Sequence, residues 1–76
     1  MDVQVGSVVT YVDPMRVPCH ALVQQVWPRP GGKPSLNLVF VSGDANREDT
    51  YGRQVEHATG VPHKDDQAAP GNYWFE

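Results

Sequence analysis

The sequence predicts a small all-β domain, and three observations predict it. Three β-patterned segments, residues 3–12, 19–27 and 36–41, come before any stretch that could hold a helix. Gly or Pro interrupts the rest so often that no uninterrupted window exceeds nine residues, Cys19 to Trp27, whereas an average helix needs about 11–12. The whole chain has 76 residues, which fits one domain.

Strand one covers residues 3–12. Period two places Val3, Val5, Val9 and Tyr11 on one face and Val8, Thr10 and Val12 on the other. Gly6 marks a bulge or a tight bend, as a small barrel needs where a strand turns a corner. Asp13-Pro14 opens a turn, because Pro fixes φ and the Asp carboxylate can bond nearby amides. Pro18 has no N–H for a ladder, so strand two begins after it and covers residues 19–27. Ala21 and Val23 share one face, with Trp27 if the alternation holds; Leu22 and Val26 share the other. Apolar residues on both faces imply a central, well-covered strand.

Residues 28–34, PRPGGKP, form a loop stiffened by three prolines. Strand three, residues 36–41, alternates Leu36, Leu38 and Phe40 with Asn37, Val39 and Val41. Residues 42–49 are polar and turn-rich. A weaker fourth strand sets Tyr51, Arg53 and Val55 against Gly52, Gln54 and Glu56. Residues 59–72 read as a long polar connection, of the kind that is functional or mobile in a compact domain. Tyr73-Trp74-Phe75 reads as a short final strand or as a surface buried against another subunit, since three aromatics are costly to leave in water. Five short strands with a stiff hairpin loop make a small, strongly bent barrel of the SH3 type, or a similar roll.

The charge balance, six Lys and Arg against nine Asp and Glu, lacks the basic surplus of a non-specific nucleic-acid binder. Nucleic acid is therefore the less favoured partner. No apolar run approaches the roughly 20 residues of a membrane helix, and Met1-Asp2-Val3-Gln4 lacks the basic and apolar regions of a signal peptide. The expectation is a soluble, cytoplasmic protein. Cys19 is the single cysteine, which excludes an internal disulfide. A domain this small is marginal alone, so self-association is the favoured stabiliser.

No reaction centre is legible. Cys19 and His20 are neighbours on a strand, so their side chains point to opposite faces and cannot pair directly. Neither C-x-x-C nor H-x-x-x-H spacing is present. Asp44-Ala45-Asn46-Arg47-Glu48 opens like a calcium loop, but Asp49 stands where that loop needs Gly and Val55 where it needs Glu. Gly31-Gly32 lies in a hairpin loop, not before a helix, so it makes no phosphate cradle. A non-enzymatic protein without metal or cofactor is expected. The basic residues Arg16, Arg29, Lys33, Arg47, Arg53 and Lys64 are spread over loops and one weak strand and make no stripe in a single chain. In a symmetric oligomer, loops from two subunits can converge, with Arg binding phosphate bidentately and aromatic faces stacking a base. The candidates for that site are Arg47, Tyr51, Arg53, His57, His63, Lys64, Tyr73 and Trp74.

Four segments carry a family pattern: Gly6-Ser7-Val8-Val9-Thr10-Tyr11, Ala21-Leu22-Val23-Gln24-Gln25-Val26-Trp27, Asn37-Leu38-Val39-Phe40 and Pro70-Gly71-Asn72-Tyr73-Trp74-Phe75. With Val61-Pro62 before the last loop, they resemble a family of short bacteriophage and prophage proteins. The first motif is shifted by one residue from the commonest form, and the family's Trp-x-Trp ending is here Tyr73-Trp74-Phe75. The resemblance implies a viral origin and carries no settled activity. It raises three roles: sequestering a host defence signal, modifying a host protein, or serving as a virion accessory. Joined to the expected self-association, it favours a homo-oligomer that captures a compact anionic, nucleotide-like defence signal by stoichiometric sequestration. The alternatives are an SH3-like protein–protein module that grips a host or virion protein, and a nucleic-acid-binding barrel.

Overall fold

The computed structural model describes residues 3–66 and 71–76. The strands in these residues are β1 (Val8–Val12), β2 (Pro18–Trp27), β3 (Ser35–Val41), β4 (Glu48–Asp49), β5 (Gly52–Arg53), β6 (Val55–Val61) and β7 (Tyr73–Phe75). A 3₁₀ turn, Lys64–Asp66, lies between β6 and β7. The main sheet has the order β6-β3-β2-β1-β7 with antiparallel neighbours throughout, and β4 and β5 form a separate small hairpin. The sheet curls into a half-barrel. Its two ends approach where the Trp74 N–H donates to the Pro62 carbonyl at 3.0 Å, beside a parallel bridge between His63 and Trp74. This is the all-β, small SH3-like barrel form the sequence predicts.

The curl has local causes. Ser7 N–H donates to Gln4 O at 2.9 Å, and Gly6 between them has φ 93°, the geometry of a turn that needs glycine at its third position. Gly6 N–H then donates to Val23 O, while Val23 N–H donates to Ser7 O, both at 2.9 Å. Two residues thus oppose one, a glycine bulge at the predicted place. It also shortens the strand: β1 begins at Val8, and Val5, placed by alternation on one face with Val9 and Tyr11, is exposed in the turn. A second irregularity falls between Val23 and Gln25 in β2, and a third between Leu36 and Leu38 opposite β6.

The bulge in β2 corrects the predicted faces, because one extra residue exchanges the two sides of a strand. Val26 joins Ala21 and Val23 against the core, whereas Trp27 turns outward and is half exposed. Its Nε1–H donates to the Asn37 side-chain oxygen at 3.1 Å, and that oxygen also accepts the Gly60 N–H at 2.9 Å, where φ is 61°. One Asn therefore ties two irregular strands. β2 is central as predicted, but only one of its faces is covered, since Leu22 is half exposed.

The core is built from Val9, Tyr11, Ala21, Val23, Leu36, Leu38, Val61 and Trp74. Trp74 lies opposite Tyr11 in the β1–β7 ladder and meets the His63 ring edge-on at 4.6 Å. The final aromatic segment is therefore a true strand, with its central residue in the core. The predicted fourth strand is corrected: Tyr51 and Arg53 belong to the small hairpin, and the strand proper continues to Val61, well into the predicted connection. What remains of that connection holds the 3₁₀ turn; its residues 67–70, including Pro70 of the family pattern, lie outside the described residues.

Candidate functional site

The predicted site residues fall into separate groups. Arg47, Tyr51 and Arg53 sit on the arm between β3 and β6. There Tyr51 is 98% exposed at the tip of the β4–β5 hairpin, and its N–H donates to the Asp49 carboxylate at 2.8 Å. The two guanidinium groups beside it are engaged within the chain. Arg53 Nη1 donates to Ser42 O at 3.0 Å, and Arg47 Nη1 lies 3.3 Å from Glu56 Oε1.

His57 stands in the middle of β6, opposite Val39, with its Nδ1 2.9 Å from Gln24 Oε1. His63, Lys64, Tyr73 and Trp74 gather where the sheet ends meet. His63 is buried and its Nδ1 accepts the Asp65 N–H at 3.0 Å. Lys64 Nζ lies 5.6 Å from the centre of the Phe75 ring. Trp74 is 1% exposed, so it offers no free face for stacking. The arm enters β6 at its first residue and the His63 group leaves at its last. Seven residues of strand separate them by about 20 Å at about 3.3 Å per residue. A single chain therefore does not bring the two groups together.

Two other places on the surface are concave. The first is the outer face of the sheet. Ladder partners share a face, and the chain of partners Val8–Leu22–Val39–His57 crosses four strands on the side away from the core. The pair Val41–Val55 continues it. Along this band Val8, Leu22, Val41 and Val55 are 62%, 49%, 60% and 55% exposed. They line a shallow groove of about 230 Å³ with no Asp, Glu, Lys or Arg in its lining among the described residues. Outer strand positions are ordinarily polar when they face water, so this face is unusual for the sheet it belongs to.

The second place is a cleft of about 390 Å³ between the β2–β3 loop and the C-terminal strand, with Trp74 and Val26 in its wall and Arg29 and Lys33 at its rim. From the sequence, residues 28–34 read only as a stiff loop, and Arg29 and Lys33 are not among the predicted site residues. The available signal was their placement inside a proline-braced loop, where a long side chain is held near one spot.

Reactive chemistry has little support among the described residues. Cys19 lies opposite Tyr11 and His20 opposite Thr10, so they face opposite sides as predicted. Burial, followed by the nearby Asp13 charge, pushes the Cys19 thiol above its ordinary pKa, which keeps it as thiol rather than nucleophilic thiolate. The Asp44 carboxylate accepts the Asn46 N–H at 2.9 Å, as in an ordinary turn. No cluster of three metal-ligating side chains occurs among the described residues, and none of their helices is long and apolar enough to cross a membrane. Comparison with protein-family models, curated proteins and solved structures finds no match to this chain.

Proposed function

We propose that this chain is a non-enzymatic binding protein that assembles with copies of itself through the outer face of its sheet. The observation that carries the reading is the exposed Val8–Leu22–Val41–Val55 band with its uncharged groove. A contiguous apolar patch on a small soluble domain marks an interaction surface. A second copy suits it because the chain carries net charge −3, yet the patch has no charged lining, so two copies meet there without like-charge contact. A two-fold arrangement puts each band against the other, and a domain of this size gains from such burial.

Sedimentation equilibrium over a wide concentration range tests the reading. The expected result is a mass that is a multiple of 8.4 kDa and falls toward one copy on dilution. A single-copy mass throughout contradicts self-association and leaves the face to a host or virion protein.

A second reading is capture of a small anionic, nucleotide-like ligand in the host cytoplasm. The cleft bordered by Arg29 and Lys33 supports it. The resemblance to short phage proteins makes a host defence signal the natural ligand under this reading, acting by stoichiometric sequestration. Arg47, Arg53 and Tyr51 then serve only where a second copy completes their surroundings.

A further inference from the structure

We infer that the cleft beside the β2–β3 loop binds a small anion of mononucleotide size that carries a planar ring, with Arg29 and Lys33 on its phosphate and its ring against Val3 and Val26. The inference rests on the second reading above and gives it a location. A volume of about 390 Å³ falls at the small end of the roughly 300–1,000 Å³ typical of ligand sites. It suits one nucleotide, and a dinucleotide would extend beyond it.

The cleft divides chemically. Val3, Val26, Pro28 and Pro34 give it apolar surface, and Arg29 and Lys33 stand together on one loop. Neither cation forms an ion pair among the described residues. Arg is matched to phosphate by its planar fork of donors, and Lys adds a second positive charge. Glu76 is the single acid in the lining. It repels a polyphosphate, whereas a ring amino group can donate to it. Two cations and one carboxylate thus favour a monophosphate with a hydrogen-bonding ring.

The loop that carries the cations is held in place. Lys33 N–H donates to the Asp66 carboxylate at 2.7 Å. A Cβ on Gly32 would stand 3.0 Å from that same carboxylate, so glycine leaves the Asp66 side chain room against the loop. At the residue after Lys33, Trp74 Nε1–H donates to Pro34 O at 3.1 Å. The Lys33 end of the loop is therefore anchored to the 3₁₀ turn and the C-terminal strand, which reduces the ordering cost of binding. Asp66 acts as a positioning residue and touches no ligand.

The test is NMR titration of isotopically labelled protein with AMP, UMP, adenosine and inorganic phosphate in turn, on wild type, R29E/K33E, D66A and R47E. Saturable shifts at residues 29–34 and the Trp74 indole are expected with at least one nucleotide. Adenosine and phosphate alone should bind at least about tenfold more weakly, since each engages half of the site. R29E/K33E should lose about tenfold or more in affinity with an otherwise native spectrum. D66A should loosen the loop resonances and weaken binding while keeping both cations, and R47E should bind like wild type. Absence of cleft shifts with both nucleotides overturns the inference, as does phosphate binding as tightly as a nucleotide, or unchanged affinity in R29E/K33E. Saturable nucleotide shifts elsewhere on the protein would overturn this location and leave the capture reading standing, whereas no shifts at any residue would overturn both.

Discussion

Trp74→Ala is expected to abolish the cooperative thermal transition or to lower its midpoint by more than about 12 °C. Trp74 is among the largest side chains buried completely, and it works in three directions at once. It faces Tyr11 across the β1–β7 ladder, meets His63 edge-on, and donates from Nε1 to Pro34 O. Truncating a buried Trp to Ala costs about 3–5 kcal/mol. A domain of 76 residues has a total of about 4–11 kcal/mol at about 0.05–0.15 kcal/mol per residue, and each kcal/mol shifts the midpoint by about 4–8 °C. The loss is therefore a large share of the whole. Thermal denaturation followed by circular dichroism checks this, and a midpoint within a few degrees of wild type would show that the C-terminal strand does not hold the barrel together.

Leu22→Lys is expected to convert the proposed assembly to single copies while leaving the fold intact. Leu22 sits near the middle of the apolar band and is already half exposed, so in one chain the ammonium reaches water and the stability change is within about ±0.5 kcal/mol. In a two-fold interface the same change buries two unpaired cations, which costs about 3–5 kcal/mol when no partner is at hand. At about 1.4 kcal/mol per factor of ten, the dissociation constant rises at least about a hundredfold. Sedimentation of the folded variant checks this. An assembly that persists unchanged would move the contact to another surface.

Much of the fold was legible because period two and the Gly–Pro punctuation act locally. Val9 and Tyr11, Leu36 and Leu38 face the core as alternation requires, Asp13 accepts the Met15 and Val17 amides in its turn, and Gly6 makes the bulge. What alternation does not contain is a register change inside a strand. The irregularity after Val23 sends Val26 inward and Trp27 outward, and no residue in Leu22-Val23-Gln24-Gln25 announces it. The extension of β6 through Thr59 and Gly60 was hidden for a related reason. Gly60 looks like a breaker in isolation, yet its N–H is satisfied by Asn37, a contact between distant parts of the chain.

The site was less legible than the fold, because residue type alone does not separate a ligand-binding arginine from one that braces a loop. Arg53 and Arg47 resemble phosphate ligands in the sequence, and both are engaged within the chain, by the Ser42 carbonyl and the Glu56 carboxylate. The outer band was in view as the second apolar face of β2, but it was assigned to burial within the chain. Only the sheet's curl, which covers one face and leaves the other open, exposes it.

The outer sheet face as the contact between copies is tested most directly by following methyl NMR signals as the protein is diluted. The account predicts concentration-dependent shifts confined to Val8, Leu22, Val39, Val41 and Val55, with the core methyls of Leu36, Leu38 and Val61 unmoved. Outer-face methyls that stay fixed on dilution would contradict it, most plainly if the moving signals came instead from the Tyr51 arm.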